Sequence, residues 1–218
     1  MNYAAARRTM VENQLRTNQI IDPLVIEAMR TLPREAFVPD ALKDVAYVDE
    51  DIPLGGGRYM LEPLILARLV QEAAIGRDDV VLDIGCNSGY GTAVMATMAN
   101  TVVALESDEA LAARASRALE LLSVDNAAVV QLPLTEGYAR GGPYDVIVIE
   151  GALAELPPAI ADQLAEGGRL VSVMSVPQGM GFATLFTRTH GALARRPLFE
   201  ASAPVLPGFE PREKFVFL

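Results

Sequence analysis

The sequence has no tryptophan, one cysteine and one histidine. A single thiol, Cys86, excludes an internal disulfide and fits a reducing compartment. One His beside one Cys leaves too few ligands for a dedicated zinc site. There is no block of Lys or Arg, and acidic residues outnumber basic ones 28 to 18, for a formal net charge of −10. That argues against a broad nucleic-acid surface, because phosphate binding needs clustered cations. No apolar run reaches the length of a membrane span, and Met1–Leu15 is polar, without the apolar core of a signal peptide. The expectation is a cytoplasmic protein, a monomer or weak dimer, with no membrane or nucleic-acid partner.

What is present is apolar residue, at 51% of 218 positions. That is enough for one large α/β domain with a small extra lobe. In chain order, Tyr3–Thr17 reads as an amphipathic helix with Met10, Val11 and Leu15 as packing positions. Asp22-Pro23 is a helix start, and Pro33 ends that helix. A loop over Asp49–Arg58 carries the triple glycine Gly55-Gly56-Gly57, a lid or a plain surface turn. A helix from Glu62 to Ala74 stops at Gly76. Strands are then expected at Val80–Ile84, Thr101–Leu105, Ala127–Leu132, Tyr144–Ile149 and Arg169–Met174. Helices are expected at Ser88–Ala99, Asp108–Leu122 and Pro157–Leu164. Strands alternating with helices at this spacing predict a parallel sheet. Phe182–Thr189, a turn at His190-Gly191 and Ala192–Leu206 predict a hairpin, and Lys214–Leu218 a last strand.

The most informative stretch is Val80-Val-Leu-Asp-Ile-Gly-Cys-Asn-Ser-Gly-Tyr-Gly91. A buried strand breaks at Gly85 into a turn that opens a helix, a device for holding a nucleotide-like ligand against unpaired N–H groups. The dinucleotide pattern G-x-G-x-x-G is matched only at Gly85, since Asn87 and Tyr90 stand at the other two glycine positions; this argues against NAD. Glu106 closes the next strand, where a carboxylate can accept from both hydroxyls of a ribose. Asp83 either braces the turn or faces a ligand's ammonium. Glu150, at the end of the fourth parallel strand, points toward the same crevice. Cys86 lies at a helix N-terminus, which lowers a thiol pKa, but no His is near it in sequence to act as a base.

Asp-Ile-Gly-x-x-Ser-Gly-Tyr resembles the first motif of S-adenosyl-L-methionine (SAM)-dependent methyltransferases. Further stretches resemble one family of these, the protein-L-isoaspartate O-methyltransferases. They are Met10-Val-Glu-Asn-Gln-Leu15, Ala28-Met29-Arg30-x-x-Pro33-Arg34-x-x-Phe37-Val-Pro39, Pro143-Tyr-Asp-Val-Ile-Val148, and Gln163-Leu-x-x-Gly-Gly-Arg-Leu-Val171. The resemblance covers about residues 8 to 175, and the N-terminal signature is the more specific part. It implies a doubly wound, Rossmann-like methyltransferase sheet of about seven strands, with a C-terminal antiparallel hairpin and an N-terminal helical extension. Residues 1–75 would supply helices and a substrate-side lid, and 76–218 the SAM-binding α/β part of one compact unit. The implied cofactor is SAM, held by Asp83, Gly85, Cys86, Asn87, Ser88, Gly89, Glu106, Ser107, Leu134 and Glu150. The implied acceptor is a carboxylate on a protein or peptide, or a small molecule, met by Arg58, Tyr59, Leu61 and Glu62.

Three departures from the family are visible. Where it carries Thr-Ile-Ser-x-Pro, this chain reads Tyr59-Met60-Leu61-Glu62-Pro63. A serine hydroxyl is replaced by Leu61, Glu62 adds negative charge beside an anionic acceptor, and Arg58 stands where Gln is usual. Leu132-Pro133-Leu134 replaces a Gly-Asp-Gly that touches adenine. Asn87 replaces a turn glycine, and Asn tolerates positive φ better than most residues.

Overall fold

Asn2 opens the first helix by accepting from Ala5 N at 3.1 Å, and α1 runs Tyr3–Met10 in the computed structural model, which describes residues 1–211. The path continues through a π turn (Val11–Leu15) and a 3₁₀ turn (Arg16–Asn18), so the expected single helix widens and then tightens at its end. Met10, Val11 and Leu15 are buried as anticipated. In α2 (Pro23–Thr31), Asp22 accepts from Leu24 N and Val25 N, with Pro23 at the first position.

The expected loop over Asp49–Arg58 is instead a hairpin. β1 (Ile52–Gly55) pairs antiparallel with β2 (Arg58–Met60), and Gly55, Gly56 and Gly57 all take positive φ at its tip. α3 (Pro63–Ala73) packs Leu66, Ala67, Leu69 and Val70 inward. It ends at Ala74, with φ +48°, at the end expected for it and two residues ahead of Gly76. The support there is tertiary: Arg169 donates to the carbonyls of Ala73 (2.7 Å) and Ala74 (2.8 Å), satisfying the helix end without a glycine.

The main sheet holds β3 (Val80–Ile84), β4 (Thr101–Glu106), β5 (Ala127–Gln131), β6 (Tyr144–Leu153), β7 (Leu164–Met174), β8 (Gly181–Thr189) and β9 (Ala192–Ala201). Their order is β5-β4-β3-β6-β7-β8-β9, parallel through β7 and antiparallel for β8 and β9. Between them lie α4 (Tyr90–Ala96), α5 (Glu109–Leu121) and α6 (Pro158–Ala161). The order reverses at β3, so the crevice lies at the carboxyl ends of β3, β4 and β6.

Several boundaries moved. β6 runs to Leu153 rather than Ile149, because Ala152 N donates to Pro204 O and Leu206 N donates to Ala152 O, holding a distant segment along it. The helix expected at Pro157–Leu164 is one turn, and β7 starts at Leu164 instead of Arg169. β9 ends at Ala201 and tolerates Pro197 because it is the outermost strand. His190 is the positive-φ turn residue between β8 and β9. The strand expected at Lys214–Leu218 lies outside the described residues.

Two apolar layers flank the sheet. One face presents Val81, Val102, Val146 and Val171 to α3, α4 and the N-terminal helices; this layer is continuous from Met10 to Ala201. The other presents Leu82, Ile84, Leu105 and Ile149 to Leu134, Leu206 and Phe209. Among the described residues, no helix is long and apolar enough to cross a membrane, and no cluster of three or more His, Cys, Asp or Glu could hold a metal ion.

Candidate functional site

The turn after β3 is left-handed at Gly85 (φ +79°), Asn87 (+55°) and Gly89 (+92°). Gly85 N and Cys86 N both donate to Leu105 O, at 2.8 and 3.1 Å, which ties the turn to β4. Asn87 carries the strain that a glycine would have avoided by donating its side-chain amide to Gly85 O at 2.8 Å. Ser88 is buried, and its hydroxyl has no hydrogen-bond partner. Cys86 is buried beneath the turn. Burial first, then Asp83, Glu106 and Glu150, raises its thiol well above the ordinary range, so it is no nucleophile.

Glu106 is fully buried at the end of β4. Its Oε1 accepts from Ser107 N (2.8 Å) and Asp108 N (3.0 Å), and its Oε2 from Asn87 N (2.9 Å). Ser107 Oγ donates to Oε1 at a longer 3.4 Å, and Arg58 Nη2 donates to Oε2 at 2.8 Å and to Asn87 Oδ1 at 3.1 Å. Arg58 was expected beside the acceptor; its guanidinium is paired with Glu106. The cause is strand alternation: in β2, Arg58 and Met60 point inward while Tyr59, 37% exposed, points out.

Beneath the turn, on the side of the N-terminal helices, lie Asp83 and Glu150. Both are buried, and Asp83 Oδ2 accepts from Thr92 Oγ1 at 2.5 Å. Burial raises both carboxyl pKa values. Glu150 is raised further by the charge of Asp83, and Asp83 Oδ1 and Glu150 Oε1 are buried without a hydrogen-bond partner. Glu150 rests on the first turn of α4, where a Cβ on Gly91 would sit 1.8 Å from Oε1. Glycine at 91 is therefore a condition for a carboxyl at 150.

The remaining acceptor-side residues are held by a group the sequence left unassigned. Arg34 is fully buried, donates from Nε to Ala46 O (2.7 Å) and from Nη2 to Leu61 O (2.6 Å), and stacks 4.8 Å from the Tyr90 ring centroid. Only its place in the Pro33-Arg34 stretch pointed to it. Leu61 is an interior residue, 1% exposed. Glu62 is partly exposed; its N–H donates to Asp51 Oδ1 at 2.9 Å, and burial with Asp49 and Asp51 nearby pushes its carboxyl up to about 7. Leu134, expected against adenine, packs in the second apolar layer.

The polar set suits a SAM-type nucleoside: a left-handed turn with close backbone, a buried carboxylate on the neighbouring strand, and an unpaired Ser88 hydroxyl. The volume over the turn is shared with side chains of the chain itself. A Cβ on Gly85 would lie 3.0 Å from a Leu206 methyl and 3.2 Å from Arg58 Nη2. Two cavities, of about 450 and 420 Å³, lie elsewhere, one near Leu156 and Phe186 and one near Leu119 and Val129.

A family model described as protein-L-isoaspartate(D-aspartate) O-methyltransferase matches residues 5–195. Protein-L-isoaspartate O-methyltransferase 1 of Rhodopseudomonas palustris is 39% identical over 188 residues, 86% of this chain and 77% of that protein. The enzyme of Methanoculleus marisnigri is 42% identical over 166 residues, 76% of each. A solved protein-L-isoaspartate O-methyltransferase superposes with a TM-score of 0.80 at 25% identity, covering 93% of this chain and 66% of that one. A Plasmodium falciparum protein in complex with S-adenosyl-L-homocysteine superposes at 0.79 with 22% identity, covering 94% and 98%, a likeness of fold.

Proposed function

Because the chain belongs to the protein-L-isoaspartate(D-aspartate) O-methyltransferase family, we propose that it is a SAM-dependent O-methyltransferase acting on a carboxylate of a protein or peptide. The observation that carries this is Glu106, buried at the end of β4 and facing a left-handed turn at Gly85–Gly89. When bound, the cofactor supplies a methyl group on a sulfonium, an electrophile needing no activation. Glu106 would accept from the ribose hydroxyls, and the N–H groups of the turn would face the ligand's polar end. A carboxylate acceptor is already a nucleophile, so the chain has only to position it and exclude water. That agrees with a site in which the one thiol is inert and the two buried acids lie beneath the turn.

Leu61 and Glu62 weigh against strong isoaspartyl activity. Leu61 offers no hydroxyl, and Glu62, when ionised, repels an anionic acceptor. Its carboxyl is raised to about 7, so it gains a proton as pH falls through neutrality, while an isoaspartyl carboxyl stays ionised. Transfer to an isoaspartyl peptide should therefore rise several-fold from about pH 8 to about pH 6. Labelled-methyl transfer to that peptide and to its aspartyl twin, across this range, tests both points. Glu62→Gln should raise the rate and flatten the profile. Glu106→Gln should weaken SAM binding by about 10- to 100-fold, the worth of a charged hydrogen bond.

A second reading, a SAM-binding or partner-binding protein that keeps the fold without transfer, is favoured by Arg58 and Leu206 lying over Gly85. Folded protein that binds SAM and methylates neither peptide would support it.

A further inference from the structure

We propose that Arg58 sets this chain's affinity for the cofactor: it occupies the ribose's share of Glu106, so that cofactor binding and release of the β1–β2 hairpin are one event. This rests on the reading of Glu106 as the nucleoside-binding carboxylate.

A carboxylate has about four acceptor positions, and five donors surround Glu106, one of them the Ser107 hydroxyl at a long 3.4 Å. Three are backbone N–H groups of Asn87, Ser107 and Asp108, which belong to the turn and the strand end. The last is Arg58 Nη2, from a residue 48 positions earlier, on a different sheet. Arg58 is the one donor that comes from outside the turn and the strand end, so its position is the one a ribose hydroxyl would take by displacing another element. The guanidinium also rests on the bare Cα of Gly85, where a ligand would make its close approach to the backbone; a Cβ there would lie 3.2 Å from Nη2.

The closed arrangement is displaceable. Arg58 is 3% exposed, yet its Nε and Nη1 are buried with no partner, so the contact leaves the arginine's own donors unfilled. There is open space beside the glycines of the hairpin tip. A Cβ on Gly55 or Gly57 would meet nothing within 4 Å, and one on Gly56 would meet only Asp108 Oδ2, at 3.7 Å. The tip can therefore shift without a clash at its glycines, with Leu54 packed on the core and Ile52 and Met60 anchoring its base there. A ligand that binds only the released state has its apparent affinity reduced by the fraction of molecules in that state. Glutamine at 58, shorter and uncharged, would leave that share of Glu106 free.

Calorimetry with S-adenosyl-L-homocysteine on the full chain, Arg58→Gln and Glu106→Gln tests this, with hydrogen exchange of residues 52–60 alongside. Arg58→Gln should bind at least about tenfold tighter than wild type, or 1.4 kcal/mol. Saturating wild type should speed exchange in the hairpin, and Arg58→Gln should show that faster exchange before ligand is added. Equal or weaker binding by Arg58→Gln, with wild type binding in a Glu106-dependent way, overturns the proposal and leaves the cofactor reading standing. Failure of both folded proteins to bind overturns both. Should Arg58→Gln not fold, hairpin exchange that stays unchanged in saturated wild type is sufficient to overturn it.

Discussion

Replacing Arg34 with methionine should lower the unfolding free energy by about 3 kcal/mol, and by about three times the 2–4 °C per kcal/mol of a chain this size in melting temperature, roughly 6–12 °C. Methionine fills a similar volume and removes a charge whose burial is costly, so the loss comes from what stays behind. The carbonyls of Ala46 and Leu61, which now accept from Nε and Nη2 at 2.7 and 2.6 Å, remain buried without donors. Each orphaned carbonyl costs about 1–3 kcal/mol, and the stacking on Tyr90 is lost as well. Lysine should recover little, because one ammonium cannot reproduce a planar fork that serves two carbonyls and a ring together. Urea midpoints of the three proteins are the check. A change under about 0.5 kcal/mol for methionine, the range of an ordinary surface substitution, would mean that Arg34 does not join these segments. The consequence is local: Arg34 holds the Leu61 carbonyl, so the segment at Leu61 should loosen before the turn at Gly85–Gly89 does.

The second large effect is on pH dependence. Glu150→Gln should have nearly the stability of wild type at about pH 5 and be the more stable of the two at about pH 8. The sign follows from proton counting. Burial raises the Asp83 and Glu150 carboxyls above the unfolded values of 3.8 and 4.5. Above those values the folded state binds more protons than the unfolded one, so the pair's contribution is fully present below them and is lost as pH rises toward the folded values. Glutamine has the shape of protonated Glu150 and can donate to Asp83 at every pH, so the loss should disappear. Parallel curves for the two proteins from about pH 5 to about pH 8 would show that folding does not raise the Glu150 carboxyl. Gly91 makes the same point from the packing side: the carboxyl at 150 lies where any larger residue at 91 would put its Cβ.

The alternation of strands and helices was legible because it depends on neighbours in sequence. Val80–Ile84 reads as a buried strand from its own apolar run, and Gly85 and Gly89 read as a turn because few other residues take positive φ cheaply. Glu106 was legible for the same reason, lying at the end of the next strand. What failed were features set by distant partners. β6 extends to Leu153 because the segment at Pro204–Leu206 pairs with it. The β1–β2 hairpin was missed because three consecutive glycines read as irregular backbone, while its strands are only four and three residues long.

By itself, then, the sequence determined the doubly wound sheet, the turn at Gly85–Gly89 and the carboxylate that faces it, along with the N-terminal signature of the family. Each rests on local backbone preference or on the spacing of apolar residues, which a few neighbouring positions specify. Only the tertiary structure decided that Arg58 pairs with Glu106, that Leu206 covers Gly85 and that Arg34 holds Leu61 from within. Those contacts join residues far apart in the chain, and the direction of a side chain in a short strand changes with a single step of register.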